Sequence, residues 1–197
     1  MKKNKVIVAI DNNNLKESKE LILHLKEDAF AFKIGYEFFF NFGIEGFKKI
    51  VPDSTKIFID LKLHDIPNTV AQGIHAINKL NPYFTTIHLS GGDEMQKAAY
   101  FSKGKVKLLG VSILTSIDNE QAKKYYFNKN IDEIITNFAN YALFNQLDGI
   151  VCSPKEIRII KKIVSNKMLI ITPGIRTKKF NISNDDQKRT MTPKEAI

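Results

Sequence analysis

The sequence predicts an α/β protein of parallel βα units, a (β/α)8 barrel, and three observations carry that expectation. Short Val-, Ile- and Leu-rich runs alternate with amphipathic segments along the whole chain, as strands covered on both faces by crossover helices do. Polar residues interrupt those runs mostly at their C-terminal ends, which form the working face of such a barrel. No linker, low-complexity stretch or change of composition divides the 197 residues, so a single domain over 1–197 is expected.

Taken in order, Lys5–Asp11 reads as the first strand, and Leu15, Leu21, Ile22 and Leu25 give the helical spacing of Leu15–Lys26. No glycine-rich dinucleotide fingerprint follows that strand; Asp11-Asn-Asn-Asn stands there instead. Ala31–Gly35 is the second strand, with Lys33 inside it, and Tyr36–Ile50 the next helix. Phe38, Phe39, Phe40 and Phe42 lie at helical spacing there, as core or as a subunit contact. Strands over Lys56–Leu63, Tyr83–Leu89 and Lys105–Leu114 alternate with helices over Val70–Leu80, Gly92–Ser102 and Glu133–Asn145. Gly149–Ser153 and Lys167–Pro173 are the last two strands, separated by a helix over Pro154–Ser165 that proline opens. That makes seven strands, and Thr192-Pro-Lys-Glu-Ala-Ile197 reads as the start of another helix. A barrel lacking a strand has two exposed edges, so an eighth strand is expected beyond this sequence; an open seven-stranded sheet is the alternative.

Composition narrows the function classes. Hydrophobic residues are 43% and charged residues 26%, the balance of a globular protein. No apolar run reaches the roughly 18 residues of a membrane span. Val6–Ile10 is too short for a signal-peptide core, and a cytoplasmic, membrane-free protein is expected. The single cysteine, Cys152, excludes an internal disulfide and reads as an inert core thiol. A net charge of +9 raises nucleic-acid binding, but only Arg158, Arg176 and Arg189 are arginines, and the lysines are spread along helices without a basic block. The reading is therefore no nucleic acid, with a positive field suited to a small phosphorylated substrate.

The chemistry concentrates in Phe58-Ile-Asp-Leu-Lys-Leu-His-Asp-Ile-Pro-Asn-Thr-Val70. Residues i and i+2 of a strand share a face, so Asp60 and Lys62 project together and the flanking leucines go to the other side. Asp65 follows on the exit loop. Burying charge is costly unless it is paired, yet one salt bridge would not need a second carboxylate. Other strand ends supply Asp11, Lys33, His88 with Ser90, Ser112 with Thr115, and Thr172 before Pro173-Gly-Ile-Arg176. Taken singly, Lys33 also fits a snorkelling surface lysine, Asp11 a helix cap and His88 a structural histidine.

Asp60-Leu-Lys62-Leu-His-Asp65-Ile66-Pro-Asn-Thr69 resembles the signature D-x-K-x-x-D-I-x-N-T of the orotidine 5'-phosphate decarboxylase family. Ala9-Ile-Asp11, Phe32-Lys33-Ile-Gly35, His88-Leu-Ser-Gly-Gly92, Val111-Ser-Ile-Leu-Thr115, Thr172-Pro-Gly-Ile-Arg176 and Asp186-Gln187-Lys-Arg-Thr-Met-Thr-Pro193 extend the resemblance over the whole chain. It implies a cofactor-free, metal-free homodimer with shared active sites acting on orotidine 5'-monophosphate. Lys33, Asp60 and Lys62 would come from one chain, and Asp65, Ile66 and Thr69 from the other. Asp11 and Lys33 would hold the ribose, Thr115 would lie near the pyrimidine, Gln187 would close over the phosphate, and Arg176 would sit at the base of that loop. The family's phosphate-binding glycine and arginine after strand eight have no counterpart in this sequence. D-x-K-x-x-D alone is shared by Mg2+-dependent 3-keto-sugar-phosphate decarboxylases and synthases of the same superfamily, the alternative reading.

Overall fold

A computed structural model describes residues 5–176 and 189–196. Seven parallel strands pair in chain order: β1 (Ile7–Ile10), β2 (Ala31–Ile34), β3 (Ile57–Leu63), β4 (Phe84–His88), β5 (Lys107–Val111), β6 (Gly149–Val151) and β7 (Leu169–Ile171). The helices between them are α1 (Leu15–Leu25), α2 (Tyr36–Ile50), α3 (Pro67–Asn78), α4 (Gly92–Ser102), α5 (Asn119–Tyr125), α6 (Ile131–Phe144) and α7 (Ile157–Val164), and α8 (Pro193–Ala196) follows.

The sheet is curled. Phe58 and Phe84 from β3 and β4 and Leu109 from β5 form one cluster with Ile7 of β1 and Ile171 of β7. Side chains of the first and last strands can share a cluster only if the sheet bends round its own inner face. Two larger clusters lie between sheet and helices. One centres on Ile10, Phe32, Ile34, Ile59, Phe38 and Phe47, under α1 and α2. The other joins Ile87, Leu108 and Ile150 to Ile74, Ile135 and Ile160 of the later helices.

Local chemistry explains several helix starts. Asn14 caps α1, its side chain accepting from the amides of Lys16 and Glu17 at 3.0 and 3.2 Å. Asp11 is therefore not the cap. Pro67 opens α3, whose buried positions Val70, Ile74 and Ile77 keep helical spacing. Asn130 and Glu133 form a capping box, so α6 begins at Ile131, two residues before the start expected from periodicity. The helix expected over Pro154–Ser165 is a 3-10 turn, Pro154–Glu156, followed by α7.

Observed strands are shorter than expected at one or both ends, most of all β6 and β7 with three residues each. The apolar character that marks a strand in sequence extends past the paired residues: Cys152 and Leu89 are buried just beyond β6 and β4. Helix α5 was not expected; Asp118 caps it, and Ala122 is its one buried residue, too little periodicity to read. The phenylalanines of α2 divide: Phe38 is fully buried, while Phe40 is 84% exposed and stacks on Tyr36.

Candidate active site

Four charged groups, one just past β1 and the others within β2 and β3, form a continuous chain at the C-terminal strand ends. Lys33 Nζ lies 3.2 Å from Asp11 Oδ1 and 3.9 Å from Asp60 Oδ2. Lys62 Nζ reaches the same Asp60 Oδ2 at 2.8 Å. Period-two alternation places Asp60 on the face of Phe58, above the inner cluster, and only 10% of its side chain is exposed. Lys33 and Lys62 are 25% and 29% exposed, and Asp11 is open at 57%, so the chain runs from a buried carboxylate outward.

β3 is distorted at this point. Ile59 pairs with Thr85 and Leu63 with Ile87, so β3 advances four residues while β4 advances two. Lys62 adopts a left-handed backbone, φ 41°, a conformation that costs a non-glycine residue about 1–3 kcal/mol and concentrates at functional sites. Three contacts hold it. The Lys62 amide donates to Thr86 Oγ1 at 2.9 Å, the Thr86 hydroxyl donates to Asp60 Oδ1 at 3.0 Å, and the Tyr36 hydroxyl donates to the Leu61 carbonyl at 2.7 Å. Both Asp60 oxygens thus have partners, one Thr86 and the other Lys62. Burial, then the Asp60 charge, raises the Tyr36 phenol above its ordinary value.

A cleft of about 430 Å3 opens beside this distortion, lined in part by Tyr36, Lys62, His64, Asp65, Thr69 and His88. The His64 and His88 rings lie 5.2 Å apart. Burial, then the charges of His64 and Lys62, push His88 down to about 4, so it stands neutral at pH 7 beside the ammonium.

Of the other expected site residues, Asp65 and Thr69 line that same cleft, and the rest of the described ones lie outside it. Asp65, Ile66 and Thr69 sit at the start of α3 and face solvent, with Ile66 67% exposed. Asp65 accepts from the Ile66 amide at 2.7 Å, and among the described residues Lys62 pairs with Asp60 rather than with Asp65. Thr115 lies in the segment leaving β5. Arg176 follows β7, its amide donating to the Met191 carbonyl at 3.0 Å beside an Ile175–Met191 bridge. Gln187 lies outside the described residues. Thr86, Tyr36 and His64 join the site without having been singled out in the sequence. Period two on β4 could have flagged Thr86, because it shares a face with Phe84 and His88. Cys152 is buried and its thiol is pushed up to about 12 by that burial, which suits an inert core residue.

Fold and site together define a TIM-barrel-like α/β protein with alternating ammonium and carboxylate groups at the ends of its first three strands. A family description, "Orotidine 5'-phosphate decarboxylase / HUMPS family", matches residues 4–197, and the chain belongs to that family. The orotidine 5'-phosphate decarboxylase of Wolbachia sp. subsp. Brugia malayi is 39% identical over 196 residues, spanning 98% of this chain and 86% of that one. The Aquifex aeolicus protein of the same name is 38% identical, spanning 98% of this chain and 84% of its own. The crystal structure of orotidine 5'-phosphate decarboxylase from Lactobacillus acidophilus superposes with a TM-score of 0.78 at 37% identity, covering 88% of this chain and 82% of that one.

Proposed function

We propose that the protein converts orotidine 5'-monophosphate to uridine 5'-monophosphate and CO2, the last step of de novo UMP biosynthesis, without a cofactor. The observation that carries this is the Asp11–Lys33–Asp60–Lys62 chain, ending in an ammonium beside an open cleft. When the C6–carboxylate bond of the orotate ring breaks, CO2 leaves and the electron pair stays in an sp2 orbital that the ring's π system cannot delocalise. Stabilisation must then be electrostatic and set in place beforehand. Lys62 supplies a positive charge at C6 and then the proton that replaces CO2. Asp60 holds that ammonium in place from a buried position, with Thr86 and Lys33 fixing Asp60 in turn. Asp11 and Lys33 take the ribose, Thr115 the pyrimidine side, and Arg176 and Gln187 the phosphate.

We read the active protein as a homodimer of (β/α)8 barrels in the cytoplasm. Asp65, Ile66 and Thr69 serve the partner's site; their exposure, and the absence of an ion pair from Asp65 to Lys62 among the described residues, support that reading.

Loss of orotidine 5'-monophosphate absorbance on adding the full-length protein tests the activity. The Mg2+-dependent 3-keto-sugar-phosphate alternative would open the D-x-K-x-x-D carboxylates to a cation, whereas Asp60 is engaged by Lys62 and Thr86. Turnover unchanged by EDTA is expected; abolition by EDTA, with recovery on adding Mg2+, would select the alternative.

A further inference from the structure

A second buried ion pair lies apart from the lysine chain. Arg189 and Glu156 are 8% and 3% exposed and bond to each other through Nη1 and Oε1. The other arm of the guanidinium, Nη2, donates to the carbonyls of Leu114 at 2.9 Å and Ile113 at 3.4 Å. Glu156 Oε2 accepts from the Ser153 amide at 3.0 Å, and the Ser153 hydroxyl donates to the Arg189 carbonyl at 3.3 Å. Two residues on, Met191 bonds through its amide to Gly174 and through its carbonyl to Arg176, at 3.1 and 3.0 Å.

Arg189 and its segment therefore join three consecutive strand exits. The guanidinium grips the backbone that leaves β5 immediately before Thr115. Through Glu156 and Ser153 it grips the exit of β6, and its own segment is laced to the exit of β7 beside Arg176. A buried ion pair is weak evidence for stability, since two apolar side chains often pack as well at less desolvation cost. What a planar, always-charged fork does that an apolar pair cannot is hold a carboxylate and two carbonyls in one fixed geometry.

We propose that Arg189, held by Glu156, is a positioning residue for the nucleotide: it sets the backbone at Thr115 and Arg176 in mutual register without touching substrate. The proposal rests on the decarboxylase reading. Arg189→Lys tests it, because lysine keeps the charge opposite Glu156 but cannot span the carboxylate and the Ile113 and Leu114 carbonyls together. With orotidine 5'-monophosphate, folded Arg189→Lys should show KM raised about tenfold with kcat within about threefold. Glu156→Gln, which leaves the fork but removes the charge that anchors it, should raise KM about threefold with the same split. The melting midpoint shows which variants are folded. An unchanged KM in whichever variants fold overturns the proposal, as does an equal fall in kcat and kcat/KM, which would put the residue in the chemistry. If neither variant folds, the pair serves the fold alone and the proposal also fails. Full-length wild-type protein that does not turn over the nucleotide overturns the decarboxylase reading and this proposal with it; active wild type with unaltered variants overturns only the proposal.

Discussion

Thr86→Val isolates the contacts that hold the distorted strand. Valine has nearly the shape of threonine, so the fully buried site opens no cavity and only the hydroxyl is lost. That hydroxyl donates to a carboxylate and accepts from the Lys62 amide. A hydrogen bond to a charged group contributes roughly 1.5–3 kcal/mol, and an amide left without a partner costs about 1–3 kcal/mol. The two effects overlap, because the backbone can relax toward ordinary strand geometry, so about 3 kcal/mol of lost stability is expected. With a urea dependence of about 2 kcal/mol/M, the unfolding midpoint should fall by about 1.5 M with its slope unchanged. Thr86→Ser keeps the hydroxyl and should lie within about 1 kcal/mol of wild type, the worth of one methyl group. Turnover by folded Thr86→Val should also drop, because the Lys62 backbone loses its acceptor. A midpoint shift under about 0.3 M would refute the reasoning, since Thr86 would then not be what holds Asp60 and Lys62 together.

Lys62→Ala should leave the circular dichroism spectrum intact and nearly abolish decarboxylation; a folded variant keeping a tenth of wild-type turnover would remove Lys62 from its proposed role. Mixing inactive Lys62→Ala with inactive Asp65→Ala should restore activity through heterodimers carrying one intact site, and no recovery after demonstrated subunit exchange would sink the shared-site reading. His88 gives a pH signature. Its proton is taken up near 6.5 in the unfolded chain but only at about 4 in the fold, so between those values the unfolded state binds more protons and stability falls as pH is lowered. Allowing for partial exposure, the loss should reach about 2 kcal/mol by pH 4, and His88→Asn should flatten that part of the urea-midpoint profile.

Much of the site was legible because charge is rare inside strands. Asp60 and Lys62 stand two residues apart in an apolar run, and that spacing predicts one shared face. Lys33 and Asp11 could be read singly as a snorkelling lysine and a helix cap. Only parallel pairing in register, Ala9 with Lys33 and Lys33 with Phe58, brings them to Asp60. The cap role went to Asn14 because its side chain reaches two free amides at the start of α1. What stayed hidden depends on partners distant in sequence. No glycine marks the left-handed backbone at Lys62, since the conformation is imposed by Thr86 and by Tyr36, 25 residues from the Leu61 carbonyl it holds. Arg189 carried no structural role in the sequence reading, because its partners Glu156, Ile113 and Leu114 lie 33 to 76 residues away.

The local rule broken at Lys62 is consistent with the chemistry proposed for it. In regular β geometry the Lys62 amide would continue the ladder with β4, in step with its neighbours. Turning the backbone to positive φ costs about 1–3 kcal/mol. Pairing with the Thr86 hydroxyl offsets it, and the same hydroxyl holds the carboxylate that the Lys62 ammonium touches at 2.8 Å. Backbone and side chain of one residue are thus fixed by two groups that are themselves bonded to each other. An ammonium on a four-carbon stem is otherwise mobile, and a charge that must meet a carbanion as it forms gains little from being near on average. In the proposed reaction, strain at Lys62 and burial of Asp60 would serve one requirement: the positive charge is in position before the C6 bond breaks.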